Sequence, residues 1–109
     1  MASPIRWTVP DRYGNSIYLT QERWEHIIDP INHSGMQAYE EELKETVRSG
    51  ARKQDSLNPQ KYRYSKEFSD LPADNTHIVA IVLFSLQERG VGEIESNNFI
   101  VTAYQKEIG

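Results

Sequence analysis

The chain has 109 residues, a formal net charge of −4 and 38% apolar residues, the profile of a single domain over residues 1–109 with one modest core. It has no cysteine, so disulfides and thiolate chemistry are excluded. The longest apolar run, residues 77–84, is about half of a membrane span, and residues 1–7 lack a basic region followed by an apolar stretch, so a cytoplasmic protein with no membrane contact is expected.

In chain order, residues 6–9 and 16–19 read as two short strands joined by Asp11-Arg12-Tyr13-Gly14-Asn15, a run of turn formers in which Gly14 can take positive φ. Thr20 is placed to cap a helix that carries Glu22 in its first turn and buries Trp24, Ile27 and Ile28. Pro30 ends that helix near Asp29. Ser34 and Gln37 have capping-box spacing, and Met36, Tyr39, Leu43 and Val47 recur every three or four residues. The spacing predicts a second helix from Ser34 to a C-cap at Gly50. Residues 51–57 and 61–68 form a predicted hairpin, with Tyr62, Tyr64 and Lys66 on one face of its second arm and Arg63 and Ser65 on the other. Residues 69–75 read as a loop around Pro72, and residues 77–84 as a central strand. Residues 87–92 read as a turn and residues 99–104 as a last strand. Helices before strands point to segregated α+β architecture.

The chemistry the sequence allows is narrow. His26, His33 and His77 have no metal-ligand spacing, and neither a glycine-rich phosphate loop nor a nucleophile elbow is present, so no metal and no cofactor are expected. The charge is unevenly spread. From Lys44 to Lys66 seven basic residues, Arg48, Arg52, Lys53, Lys61 and Arg63 among them, face only Glu45 and Asp55. Such a window is either a solvated face or a local phosphate-binding patch. Arginine matches a phosphate with two parallel hydrogen bonds, and tyrosine can stack on a base, so basic and aromatic residues interleaved on a strand permit contact with single-stranded RNA. His26 can exchange a proton near neutral pH and lies beside Arg23 on its helix. Its bland alternative is a helix histidine that only hydrogen-bonds the sheet. Thr102 and Tyr104 share a strand face and can offer hydroxyls to a substrate or simply satisfy local polar groups. His77 opens a strand, where a structural role is expected.

The order Leu19-Thr20-Gln21-Glu22-Arg23-Trp24-Glu25-His26-Ile27, an amphipathic helix, Lys61-Tyr62-Arg63-Tyr64-Ser65-Lys66, an apolar strand and Ile100-Val101-Thr102-Ala103-Tyr104 resembles the phage-associated branch of the barnase, EndoU, colicin and RelE-like nucleases. The likeness covers residues 18–105. It implies two helices packed on a four-stranded antiparallel sheet, with a small N-terminal hairpin as an addition. It also implies a metal-independent endoribonuclease or toxin module in which the RNA 2′-hydroxyl attacks the adjacent phosphorus. In that mechanism His26 transfers the proton, Arg63 stabilises the charged phosphorane oxygens, Lys66 assists, Thr102 orients a phosphate oxygen and Tyr104 positions the nucleotide. Arg23, Arg48, Arg52, Lys53, Lys61, Tyr62 and Tyr64 would hold the RNA. An antitoxin or other regulatory protein is the partner such a module implies.

The chain departs from that pattern. The family's proline after the helix–histidine region is replaced by Ser34-Gly35 behind His33, the proline near the end of the second helix by Ser49-Gly50, and the net charge is negative. These departures motivate a second reading, a noncatalytic RNA-binding or protein-interaction domain derived from such a nuclease. The two readings separate on geometry, because joint catalysis requires His26 and Arg63 to reach one phosphate.

Overall fold

A computed structural model describes residues 3–32, 35–88 and 90–108. The elements run β1 (Ile5–Pro10), β2 (Ser16–Thr20), α1 (Gln21–Ile28), α2 (Glu40–Ser49), β3 (Ala51–Gln54), β4 (Lys61–Glu67), β5 (His77–Glu88) and β6 (Ile94–Lys106). One sheet holds all six strands in the order β1-β2-β6-β5-β4-β3. The expected α+β class stands, but the expected four-stranded antiparallel sheet is overturned. The sheet is mixed, because the N-terminal hairpin joins it edge-on and β2 lies parallel to β6 at Tyr18 and Phe99. No helix among the described residues is long and apolar enough to cross a membrane.

Local chemistry explains where each helix begins and ends. The Thr20 hydroxyl accepts the Arg23 backbone N–H at 3.1 Å and caps α1, and Asp29, in front of Pro30, turns out of the helix with ψ 128°. The second helix starts later than its apolar period predicts. Tyr39 is its N-cap, without a side-chain cap, and Glu40, Glu41 and Glu42 supply the negative charge its first turn favours. Met36 and Tyr39 still meet the core, but from a turn closed by the Tyr39 N–H on the Met36 carbonyl. The capping role expected of Ser34, and His33 beside it, lie outside the described residues. Glu40 also accepts hydrogen bonds from the Arg6 guanidinium and from Trp7 Nε1, so the first residue of α2 is fastened to β1.

Both helices cover the same face of the sheet. Trp24 and Ile27 of α1 and Leu43 and Val47 of α2 pack with Val9, Ile17, Leu19, Tyr64, Ile78, Ala80, Val82, Ile100 and Ala103 in one buried core. Strand alternation therefore sorts every other residue to the uncovered face. A β-bulge in β6 resets this parity. Ile81 faces Thr102 while Val82 faces Ile100, so Val101 is the additional residue. That is why Ile100 and Ala103, three apart, both enter the core, and Phe99 and Thr102 both face away from it.

Gly50 follows α2 as its C-cap, as expected, but with φ −69° instead of a left-handed turn. Its glycine is required by crowding: a Cβ there would run into the Thr46 carbonyl oxygen and lie 2.7 Å from that of Ser65. Both are backbone atoms that cannot swing aside. Gly50→Ala is expected to lower the unfolding free energy by about 1–3 kcal/mol, the range for an overpacked interior. Urea denaturation with an unchanged m-value measures this.

Candidate functional site

The uncovered face is built by the strand residues whose neighbours in sequence form the core. On β4, Arg63 pairs with Ile81 and Lys61 with Leu83; on β3, Lys53 pairs with Arg63; on β6, Tyr104 pairs with Val79 and Thr102 with Ile81. Residues in register on neighbouring strands project to the same side. Lys53, Lys61, Arg63, Ile81, Tyr62 and Tyr104, with the adjoining Gln54–Ser56 turn, line one open depression of about 390 Å³. Lys53 and Arg63 are exposed and Tyr104 is half-buried. Lys61 lies 3.9 Å from Asp55, whose carboxylate is held below its ordinary range by the Leu57 and Asn58 backbone N–H groups. Ile81 adds an aliphatic side chain to this lining, and Val79, Leu83 and Phe99 lie on the same face, Val79 fully buried and the other two partly so.

Several expected site residues lie elsewhere. His26 is exposed on α1, in the layer behind the sheet, and its carbonyl accepts from Asn32. The sheet therefore stands between His26 and Arg63. Arg23 shares α1 with it, and Arg48 sits on α2, 3.5 Å from Glu45. Lys66 faces the helix side of β4, opposite Ile78, one position out of phase with Arg63 and Ser65. Tyr64 is fully buried, whereas Tyr62 does line the depression while packing edge-on against Phe84 at 4.9 Å. His77 meets the neighbouring Thr76 hydroxyl at 2.7 Å, the structural role expected of it.

From its sequence position Asp11 has only a turn role, yet it holds much of this end of the sheet together. Its side chain is buried and accepts the Tyr64 hydroxyl, the Tyr13 and Asn15 backbone N–H groups at 2.9 and 2.8 Å, and the Asn15 amide. Arg52 lies 3.8 Å from the same carboxylate, and its guanidinium stacks 4.2 Å from the Tyr13 ring and 4.6 Å from the Tyr62 ring. Arg52 is thus locked on the helix side of the edge strand, while the next residue, Lys53, points to the uncovered face. Burial opposes the Asp11 charge, but the Tyr64, Asn15 and Tyr13 donors outweigh it and hold the carboxyl below its ordinary range. Burial first, and then the Asp11 hydrogen bond, push the Tyr64 phenol far above its ordinary value.

The sequence signal that finds the groove is strand parity at residues 61–66, which already separates Arg63 from Tyr64 and Lys66. No local signal ties Asp11 to a tyrosine 53 positions away.

Comparison of the chain with protein-family models, with curated proteins and with solved structures gives no match.

Two measurements test the clamp. Tyr64→Phe leaves the buried Asp11 carboxylate short of a donor and is expected to cost about 1–3 kcal/mol. Because the Asp11 pKa is depressed in the folded chain, its contribution is complete above the unfolded carboxyl value, about 3.9, and is lost as pH falls through the lower folded value. Asp11→Asn is expected to flatten stability against pH below about pH 4. An acid profile identical to that of the parent chain would remove Asp11 from the account.

Proposed function

We propose that the uncovered sheet face binds single-stranded RNA without cutting it. The observation that carries this reading is the convergence of Lys53, Lys61, Arg63 and Tyr104 on one depression. Three cations supply phosphate contacts, and the half-buried Tyr104 ring supplies a surface on which an unpaired base can stack. Thr102, on the same face one residue pair from Arg63, adds a hydroxyl. RNA is favoured among anionic ligands by the resemblance of the strand and closing elements to the RelE-like and barnase-like nucleases. The noncatalytic form is favoured because His26 lies across the sheet from Arg63.

The test is fluorescence anisotropy with a labelled single-stranded RNA of about 12 nucleotides, at several salt concentrations. The double variant Lys53→Ala/Arg63→Ala is expected to bind at least about tenfold more weakly at low salt. Its plot of log affinity against log salt should be shallower by about 1.4, the loss of two phosphate contacts on a single strand. Tyr104→Ala is expected to cost about 1–3 kcal/mol of binding. His26→Ala should bind like the parent, and the RNA should stay intact in chelator. Unchanged affinity in the double variant would overturn the binding face. Cleavage that disappears with His26→Ala would overturn the noncatalytic form and restore the nuclease.

A further inference from the structure

Lys53 pairs with Arg63, Arg63 with Ile81 and Ile81 with Thr102, so one straight row crosses β3, β4, β5 and β6 on the uncovered face. Tyr104, opposite Val79, lies next to that row on one side. Lys61, opposite Leu83, lies next to it on the other side, and the Asp55 N–H donates to the Lys61 carbonyl at 2.9 Å. The depression therefore runs from a ring, across a pair of cations, to a carboxylate beside a third cation.

Asp55 is the acidic residue among the described residues that line this depression, and by charge alone it weakens the hold on a polyanion. The turn after β3 accounts for one of its two oxygens. Oδ1 accepts the Leu57 and Asn58 backbone N–H groups at 2.8 and 2.9 Å. Asparagine would serve that turn equally well, since its amide oxygen accepts the same bonds. The turn does not account for Oδ2, which lies 3.9 Å from the Lys61 ammonium, beyond hydrogen-bond length. Oδ2 is an acceptor held in place by the turn, and it can take a donor without reorganisation.

We infer, on the RNA-binding reading of this face, that Asp55 Oδ2 accepts the exocyclic amino group of a base, so that amino-bearing bases are preferred to uracil. A strand with one base on Tyr104 and a phosphate on Arg63 and Lys53 brings its next base to the Asp55 end. Lys61 turns to phosphate there, and the carboxylate is left to take a neutral donor from the ligand. The N4 amino group of cytosine has one hydrogen directed away from the ring nitrogen, so a carboxylate meets it without facing another acceptor. Uracil has a carbonyl oxygen in the same place. Its one base N–H lies between two carbonyl oxygens, and both repel a carboxylate. The 2′-hydroxyl is common to every ribonucleotide and selects none of them.

Fluorescence anisotropy of the full chain with labelled oligocytidine and oligouridine, each of about 12 nucleotides, decides it. The two probes share ring size and backbone charge and differ in the base edge. At about pH 7.5, with carboxylates ionised, the parent is expected to bind oligocytidine at least about fivefold more tightly than oligouridine. Asp55→Asn keeps the turn acceptor and offers the uracil carbonyl an N–H donor. It also removes a negative charge, so both probes should bind more tightly, while the ratio between them falls below about twofold. Asp55→Ser, whose hydroxyl can also accept the turn N–H groups, should lose the preference too, and circular dichroism checks that each variant is folded. A carboxylate with a turn role alone would raise both affinities in proportion, and a parent ratio that survives Asp55→Asn overturns the inference. So does a parent chain that binds the two probes equally, an outcome that leaves RNA binding by this face standing. A parent chain that binds neither probe removes RNA binding and base selection together.

Discussion

Everything about this molecule's chemistry depends on a one-sided covering of a sheet. Two short helices bury the Ile78, Ala80 and Val82 side of β5, and the side carrying Val79, Ile81 and Leu83 has no helix on it. A residue's position in the strand alternation then decides whether it is a structural part or a surface group. Arg52 and Lys53 are adjacent in sequence and both cationic, yet one is packed among Tyr13, Tyr62 and Asp11 and the other is exposed beside Arg63. The same rule divides Tyr64, whose hydroxyl serves Asp11, from Arg63, which serves nothing in the core.

Much of this was legible in the sequence because it is local. The cap at Thr20, the stop before Pro30, the turn at Asp11 to Asn15 and the alternation from Tyr62 to Lys66 each depend on residues a few positions apart. What was not legible depends on long-range contact. The apolar period running through Met36 and Tyr39 looks helical, but those residues are anchored by the core from a turn, and the helix waits for Glu40, which Arg6 and Trp7 hold from the other end of the fold. The four-stranded expectation failed for the same reason. The N-terminal hairpin was readable as a hairpin, but its parallel seat beside β6 rests on the Tyr18 and Phe99 pairing, together with the Tyr18 hydroxyl on Asn97 and the Asn98 amide on the Ser16 carbonyl.

The candidate site divides along the same line. The parity that joins Lys53, Lys61 and Arg63 could be read from the sequence, since it follows from one hairpin. The inclusion of Tyr104 beside Arg63 required the order of β4, β5 and β6, and the bulge at Val101 required a register that no period-two pattern contains. Grouping His26 with Arg63 rests on their side-chain chemistry and on the resemblance, neither of which carries the layer order. The His26 helix covers the wrong side of the sheet for the two to share a phosphate, and a side chain cannot cross a packed layer of isoleucine, alanine and valine to do so.

That separation bears on what kind of protein an overall charge of −4 allows. Long-range attraction cannot gather a polyanion onto an acidic chain, so any RNA contact must be made at short range by groups already placed together. Three cations on two adjacent strands meet that requirement, because register fixes their spacing and the Asp11 clamp holds the edge strand that carries Lys53. Cleavage asks for more. It needs a proton acceptor and a proton donor on opposite sides of a phosphate held by those same cations, and His26, the imidazole grouped with them, stands on the helix side of the sheet. Ordered cations beside a half-buried aromatic ring are the groups that the proposed strand-binding face requires.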